Sequence, residues 1–222
     1  MGGWELLRPA KKVPTTRWSS SNPMSTRPRL STLSILLVGE FLFGLGDAFL
    51  IVAGVGNTPW TVLAEGIATV IGWSIGKATF LVSAAVLLLW IPIREVPGIG
   101  TLLNAIIIAA TIELTVDRIP ASDDILVSFL QVCLGILLIG IGSAMYLTAN
   151  LGPGPRDGWM TGLQRVTGVP IGRVRLTIEI SVLVIGVLLG GTFGYGTVLF
   201  AFAIGPVVAV CLAAAGRIGS ED

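Results

Sequence analysis

Residues 39–60 read GEFLFGLGDAFLIVAGVGNTPW, and residues 135–156 read GILLIGIGSAMYLTANLGPGPR. Moved forward by 96 positions, the first stretch falls on the second without a gap, and Pro59 falls on Pro155. Across 39–108 and 135–204, nine glycines coincide in this register, where chance would match about two. An internal duplication predicts that each half of the chain forms one copy of the same structural unit.

The composition indicates a membrane protein. Of the 222 residues, 53% are hydrophobic and only 12% are charged, with a mean hydropathy of +0.88, whereas about a quarter of the residues of a soluble domain are charged. The apolar runs 33–54 and 125–149 reach the roughly 20 helical residues needed to cross a bilayer. We therefore predict an all-α, polytopic transmembrane helix bundle whose surroundings are the lipid bilayer.

Several kinds of chemistry are disfavoured by the same composition. The chain contains no histidine, which removes the commonest metal ligand and the commonest general base. Cys133 and Cys211 lack CxxC spacing and are typical of packing residues. A net charge of +1 leaves no basic footprint for nucleic acid. We expect no enzymatic activity, no metal, no cofactor and no nucleic-acid partner.

The register of the duplication divides the chain. Residues 1–31 are basic and polar, and they predict a disordered cytoplasmic tail. The first membrane repeat spans 32–116, a polar connector spans 117–124, and the second repeat spans 125–216, followed by a short tail at 217–222. The predicted long helices cover 33–54, 78–93, 101–116, 125–149, 174–189 and 197–215.

A shorter segment follows the first long helix of each half, from Pro59 and from Pro155. If both segments dip into the membrane and return, the protein has six spans and inverted halves; if both cross, it has eight spans and parallel halves. The positive-inside rule does not separate these arrangements. We favour six spans plus two half-helices, because 155–172 carries charged residues that are costly to place across a bilayer.

These short segments are also the predicted binding site. Proline favours the first position of a helix, and free N–H groups at a helix start favour an anionic group. Paired Gly/Pro-interrupted segments in two halves are typical of the central site of a transporter. The alternative interpretation is that they only cap helices at the water interface. The candidate binding residues are Asn57, Pro59, Trp60, Pro155, Arg156 and Asp157.

Acidic residues within the apolar segments form a second group of candidates. They are Glu40, Asp47, Glu65 and Glu179. An acid inside a membrane is costly and is by default a candidate functional residue. Glu40 and Asp47 are seven residues apart, hence on one helix face. Proton or cation relays and simple hydrogen bonding between helices both remain open.

The set formed by 151–158, 56–60, the Ile-Gly-Lys/Arg steps at 75–77 and 171–173, and the late Gly-x-Gly-Thr resembles the YczE/YyaS/YitT group of bacterial integral membrane proteins. The resemblance covers about 35–210 and fits the YczE-like form, without the soluble C-terminal domain of members closer to YitT. It implies a bacterial inner (plasma) membrane protein, with no cofactor or catalytic residue to transfer.

Two functions remain open at this point. The first is a transporter or permease for a small solute, with an anion as one candidate class. The second is a non-transporting scaffold or regulatory partner in the membrane. A homo-oligomer is compatible with either. A solvent-reachable cavity between the halves, lined by Arg156, Asp157 and the helix start at Pro59, would favour the first.

Overall fold

The computed structural model describes residues 12–220. This part of the chain is helical and contains no strand. The helices are α1 (Leu30–Ala53), α2 (Pro59–Ile71), α3 (Ile75–Leu88), α4 (Trp90–Ile93), α5 (Ile99–Thr115), α6 (Ile125–Ala149), α7 (Pro155–Thr167), α8 (Ile171–Leu188) and α9 (Tyr195–Ile218). A short 3-10 turn, Val116–Arg118, follows α5.

Local sequence signals set the helix ends. The Asp124 side chain accepts a hydrogen bond of 2.7 Å from the backbone N–H of Leu126 and so caps α6. Gly54 ends α1 in the left-handed conformation, at φ +66°, as Asn150 ends α6 at φ +53°. The prediction of a helix over 125–149 is confirmed residue for residue.

The predicted helix over 78–93 corresponds to an apolar helical segment over Ile75–Ile93, which differs from the prediction in two details. The helix begins earlier, at Ile75, and is interrupted at Leu89, so that α4 forms a separate turn. Pro92 explains the interruption, because its ring clashes with the carbonyl four residues earlier and it has no N–H to donate.

Within residues 12–220, five helical segments are long and apolar enough to cross a membrane. They are Leu30–Ala53, Ile75–Ile93, Ile99–Arg118, Ile125–Ala149 and Tyr195–Ile218. The 18-residue α8, a predicted span, is not among them, since it carries Arg173, Arg175 and Glu179. The protein is thus a membrane protein with several apolar helices.

The centre of the bundle is an antiparallel contact between α1 and α6. A methyl group at Gly39 would lie 2.9 Å from the backbone nitrogen of Tyr146, near the end of α6. A methyl group at Gly46 would lie 2.6 Å from the carbonyl oxygen of Gly135, towards the start of α6. Glycines let the two backbones approach this closely.

The two short helices cross over to the opposite half of the chain. Helix α2 packs on α8, where a methyl group at Gly66 would lie 2.5 Å from the carbonyl oxygen of Gly186. Helix α7 packs on α3 and α4, where Gly158 lies directly against the indole of Trp90. Each half therefore holds the short helix of the other.

One pair of helices breaks this correspondence. Helix α3 packs against α5, and a methyl group at Gly76 would lie 2.8 Å from the carbonyl oxygen of Ala109. The positions 96 residues later are Gly172 on α8 and Gly205 on α9, and neither has any atom within 4 Å of such a methyl group. Helices α8 and α9 hardly touch, so a gap separates them.

Residues 12–29 lie against the ends of α6 and α9. The Trp18 indole donates to the Thr148 hydroxyl at 3.1 Å, and the backbone N–H of Arg17 donates to the carbonyl of Gly219 at 2.8 Å. Of the predicted disordered tail, residues 1–11 lie outside the described residues, as do 221–222 of the C-terminal tail.

The glycine contact between α1 and α6 yields a test of the fold. We expect Gly142→Val to destabilise the protein by about 1–3 kcal/mol, because its side chain would meet the Gly39 carbonyl and the Phe43 backbone nitrogen. The measurement is the free energy of unfolding in detergent micelles. Gly205→Val is the matched control, since it points into open space; equal losses for both variants would contradict the packing.

Candidate functional site

The starts of α2 and α7 meet in the centre of the structure. Each helix has proline at its first position, Pro59 or Pro155. The turns before them place Gly56 at φ +119° and Gly152 at φ +104°, a region that side chains rarely adopt. The guanidinium carbon of Arg156 lies 5.2 Å from the ring centroid of Trp60, so the second residues of the two helices touch.

Arg156 is half-buried and has no ion pair among the described residues. It lies close enough to Asp47, Asp157 and Tyr146 to interact with each electrostatically. Its contact with Trp60 is a cation–π interaction. Because Arg156 has no hydrogen-bond partner in the described part of the chain, its N–H groups are free to bind another acceptor.

Asp157 is held by a neutral partner. The Tyr146 hydroxyl donates to its Oδ2 atom at 2.5 Å. The start of α7 is fixed by Trp90, whose indole N–H donates to the carbonyl of Pro155 at 3.0 Å. The position of Asp157 is thus set by α6 and α4, and not by an ion pair with the adjacent Arg156.

A cavity of about 310 Å³ opens at this point. The two helix starts contribute Thr58, Pro59, Trp60, Gly154, Arg156 and Asp157 to its wall. Helices α1, α3, α5 and α6 contribute Phe43, Ser83, Asn104, Ile108, Ile139, Ser143, Tyr146 and Leu147. Met160 of α7 also lines it, and the gap between α8 and α9 is bordered by Arg175, Glu179, Phe200, Ile204 and Val208. Eleven of these twenty residues are apolar and nine are polar, so the wall offers both hydrophobic surface and several polar groups to a ligand.

Four of the six predicted binding residues therefore face the cavity. Asn57 does not, because it is buried and its amide donates to Glu65 Oε2 at 2.8 Å. Pro155 does not line it either, and its carbonyl is taken by Trp90.

The four predicted acids lie in four different environments. Glu179 borders the cavity and pairs with Arg175 at 2.8 Å. Asp47 is buried on α1 and its Oδ1 accepts from the Thr61 hydroxyl at 3.2 Å. Glu40, also on α1, is completely buried, and neither carboxyl oxygen has a hydrogen-bond partner.

Glu65 joins α2 to the loop between α8 and α9. Its Oε2 accepts from Asn57 and from the backbone N–H of Thr192, and its Oε1 accepts from the Thr192 hydroxyl at 2.7 Å. Three donors on one carboxylate hold the turn at Gly56 against the start of α9.

The sequence interpretation missed Tyr146, Asn104 and Arg175. Tyr146 had a signal, since it is the sole aromatic residue in the largely aliphatic run over 134–149. Asn104 is likewise a lone amide in the apolar run over 102–112. No cluster of metal-ligating side chains occurs between residues 12 and 220.

The comparisons with known proteins agree with the predicted resemblance. The model of a family of unknown function, DUF6198, matches residues 30–213. An uncharacterized protein of Haemophilus influenzae is 44% identical over 204 residues, covering 91% of this chain and 92% of that protein. From Bacillus subtilis, the uncharacterized membrane protein YczE is 30% identical over 154 residues (69% of this chain, 72% of YczE), and YyaS is 26% identical over 166 residues (73% and 83%). No solved structure matches the chain.

The three hydrogen bonds to Glu65 predict a large effect of a small change. Glu65→Gln keeps the shape but removes the negative charge that strengthens all three hydrogen bonds, and it forces the Thr192 hydroxyl to accept where it now donates. We expect a loss of about 1.5–3 kcal/mol in the free energy of unfolding in micelles. Glu113→Gln is the control, because its 3.7 Å pair with Lys77 is exposed and is worth about 0–1 kcal/mol. Similar losses in the two variants would contradict the role of Glu65 in joining α2 to the loop before α9.

Proposed function

The chain belongs to the DUF6198 family of unknown function, and we propose that it is a small-solute transporter of the bacterial inner (plasma) membrane, with an anionic group on its solute. The observation that carries this proposal is the 310 Å³ cavity where the starts of α2 and α7 meet. A packed scaffold needs no such cavity, and here its wall contains an arginine that has no ion-pair partner within residues 12–220.

The wall of the cavity supports an anionic ligand. The guanidinium of Arg156 offers planar pairs of N–H donors, which suit carboxylate and phosphate groups. The N-termini of two helices point into the same region, and each contributes partial positive charge. Trp60 holds the guanidinium from one face, so its N–H edge remains available.

The contacts of the two halves support an internal duplication. Gly56 lies against Gly194 and Thr197, as Gly152 lies against Gly98 and Thr101, so that the members of the two sets differ by 96 positions. In the same way, Gly44 meets Thr111, and Gly140 meets Val207. When two copies of one unit pack around a pseudo-twofold axis, each contact is expected to recur between the residues that lie 96 positions away in the other copy.

The direction of the helices supports inverted halves. Helices α1 and α6 open the two halves and run antiparallel. An odd number of crossings in each half would produce this arrangement, as six spans with α2 and α7 as half-helices do. We place the basic N-terminus in the cytoplasm, following the positive-inside rule.

The gap between α8 and α9 suggests how transport would proceed. Its counterpart, α3 on α5, is closed through Gly76. We infer that the protein alternates between this state and one in which α8 closes on α9 while α3 and α5 separate. Exchange of conformations between inverted repeats gives alternating access to a central site.

Removal of the arginine tests the binding site. In proteoliposomes we expect uptake of at least one of labelled acetate, phosphate or sulfate above the level of empty vesicles, and about a tenfold or greater loss in Arg156→Ala. Arg165→Ala is the matched control, because Arg165 pairs with Glu95 at 2.8 Å and does not line the cavity. Equal uptake by Arg156→Ala and wild type would exclude the site, and no uptake at all would favour the scaffold.

Cross-linking tests the second state. In a variant with Cys133 and Cys211 replaced by serine, Gly172→Cys and Gly205→Cys should form a disulfide under mild oxidation if α8 closes on α9 as α3 closes on α5. The yield is read by gel mobility after proteolysis between the two helices. The control pairs Gly172→Cys with a cysteine at exposed Ile218, which is also on α9 but 13 residues from Gly205. A yield no higher than this control would contradict alternation.

A further inference from the structure

Glu40 is a buried acid without a partner among the described residues. It lies on α1 with none of its surface exposed, and both carboxyl oxygens lack any hydrogen-bond partner. It neighbours Gly39, at the point where α1 meets the Tyr146 turn of α6. The proposed transport site does not include it, since it does not line the cavity.

Within residues 12–220, no cation is placed to balance a charge on Glu40. On its own helix the other charged residue is Asp47, and α6 contains no lysine, arginine, aspartate or glutamate. From α5, Glu113 is turned towards Gly76 and Lys77 of α3. From α7, Arg156 interacts with Asp47, Asp157 and Tyr146. An ionised carboxylate buried without a cation costs several kcal/mol, so the protonated form fits this structure.

The neighbour of Glu40 that can respond to its charge is Tyr146, whose hydroxyl is within electrostatic reach of the Glu40 carboxyl. That hydroxyl has one hydrogen, which it now donates to Asp157. Asp157 is consequently engaged by a neutral donor, and Arg156 has no ion pair in the described part of the chain. Glu40 is thus linked to Arg156 through two intervening residues, by electrostatic interaction with Tyr146 and then by the hydrogen bond from Tyr146 to Asp157, the neighbour of Arg156.

We propose that Glu40 is a proton-binding site that controls whether Arg156 is free to bind an anion. When Glu40 releases its proton, the proton leaves by way of the Tyr146 hydroxyl and Asp157, both of which line the cavity, and the Glu40 carboxylate then takes the Tyr146 hydroxyl as donor. Asp157 then loses that hydrogen bond and pairs with Arg156. Uptake of a proton by Glu40 reverses both changes, and no other bond is made or broken.

The charge count around the site points the same way. Two carboxyl groups, on Asp47 and Asp157, lie near one arginine, and a third, on Glu40, lies near Tyr146, while Arg175 and Glu179 balance each other. An incoming anion adds a further negative charge, which favours a proton on one of the three. Since linkage is reciprocal, the anion and the proton bind together. This part of the inference rests on the proposed transport function; the proton site on Glu40 does not.

Infrared spectroscopy of the full-length protein in lipid tests the proton site without any solute. We expect a carbonyl stretching band of a protonated carboxylic acid at neutral pH, which Glu40→Gln removes. Gln matches the neutral acid in shape, so the variant should fold, as checked by size-exclusion chromatography. Glu179→Gln, which removes an acid already paired with Arg175, is the control and should keep the band. A band that persists in Glu40→Gln, or its absence from the wild type, overturns the proposal.

Chemical modification tests the link to Arg156. With phenylglyoxal as probe and mass spectrometry as readout, the ratio of Arg156 modification in wild type to that in Glu40→Gln should fall about tenfold as pH rises past the loss of the infrared band. The reactivity of phenylglyoxal itself changes with pH in the same way for both proteins, so this effect cancels in the ratio. A constant ratio overturns the link. If the infrared and modification results are both as expected but no transport is seen in vesicles, the proposed transport function is contradicted and the proton site on Glu40 is not.

Discussion

The close antiparallel contact of α1 and α6 is the constraint on which the rest of the structure depends. Lipid gives no hydrophobic driving force between helices, so association relies on packing and hydrogen bonds. Gly39, Gly46, Gly135 and Gly142 let the two backbones approach each other closely. This contact fixes Glu40 and Asp47 of α1 relative to Tyr146 of α6. Because the two helices are antiparallel, the turns that follow them begin at opposite ends of the bundle.

Those turns lead back into α2 and α7, whose starts meet at the cavity. Each glycine-containing turn is held by a helix start of the other half, Gly56 by Thr197 of α9 and Gly152 by Thr101 of α5, so each short helix is tied to the last helix of the other half. Polar groups are tolerated at this depth because many have partners: Glu65 has three donors, and Asp157 has Tyr146. Glu40 is the exception among the buried acids of residues 12–220, since both of its carboxyl oxygens lack a partner, and an unpaired buried acid is by default a candidate functional residue.

Much of the fold could be predicted from the sequence, because its signals are local. Apolar run length gave α6, and proline at the first turn gave the starts of α2 and α7. Hydrogen-bond partners that depend on tertiary contacts were out of reach. Asn57 was predicted to bind a ligand but serves Glu65, whereas Tyr146, 11 residues from Asp157 on another helix, was missed. The gap between α8 and α9 was also beyond the sequence, since glycines matched in register predict equal packing in both halves.

The hydrogen bonds at residues 17 and 18 hold the beginning of the described chain close to its end. Arg17 is joined to Gly219, and Trp18 to the end of α6, so both ends of the described chain lie at one end of the bundle, while the exposed connector over 117–124 lies at the other. Nearby ends and an exposed connection are the conditions under which circular permutation is tolerated. A permutant that begins at Ile125 and closes through Gly219 would present the halves in exchanged order while preserving every contact between them.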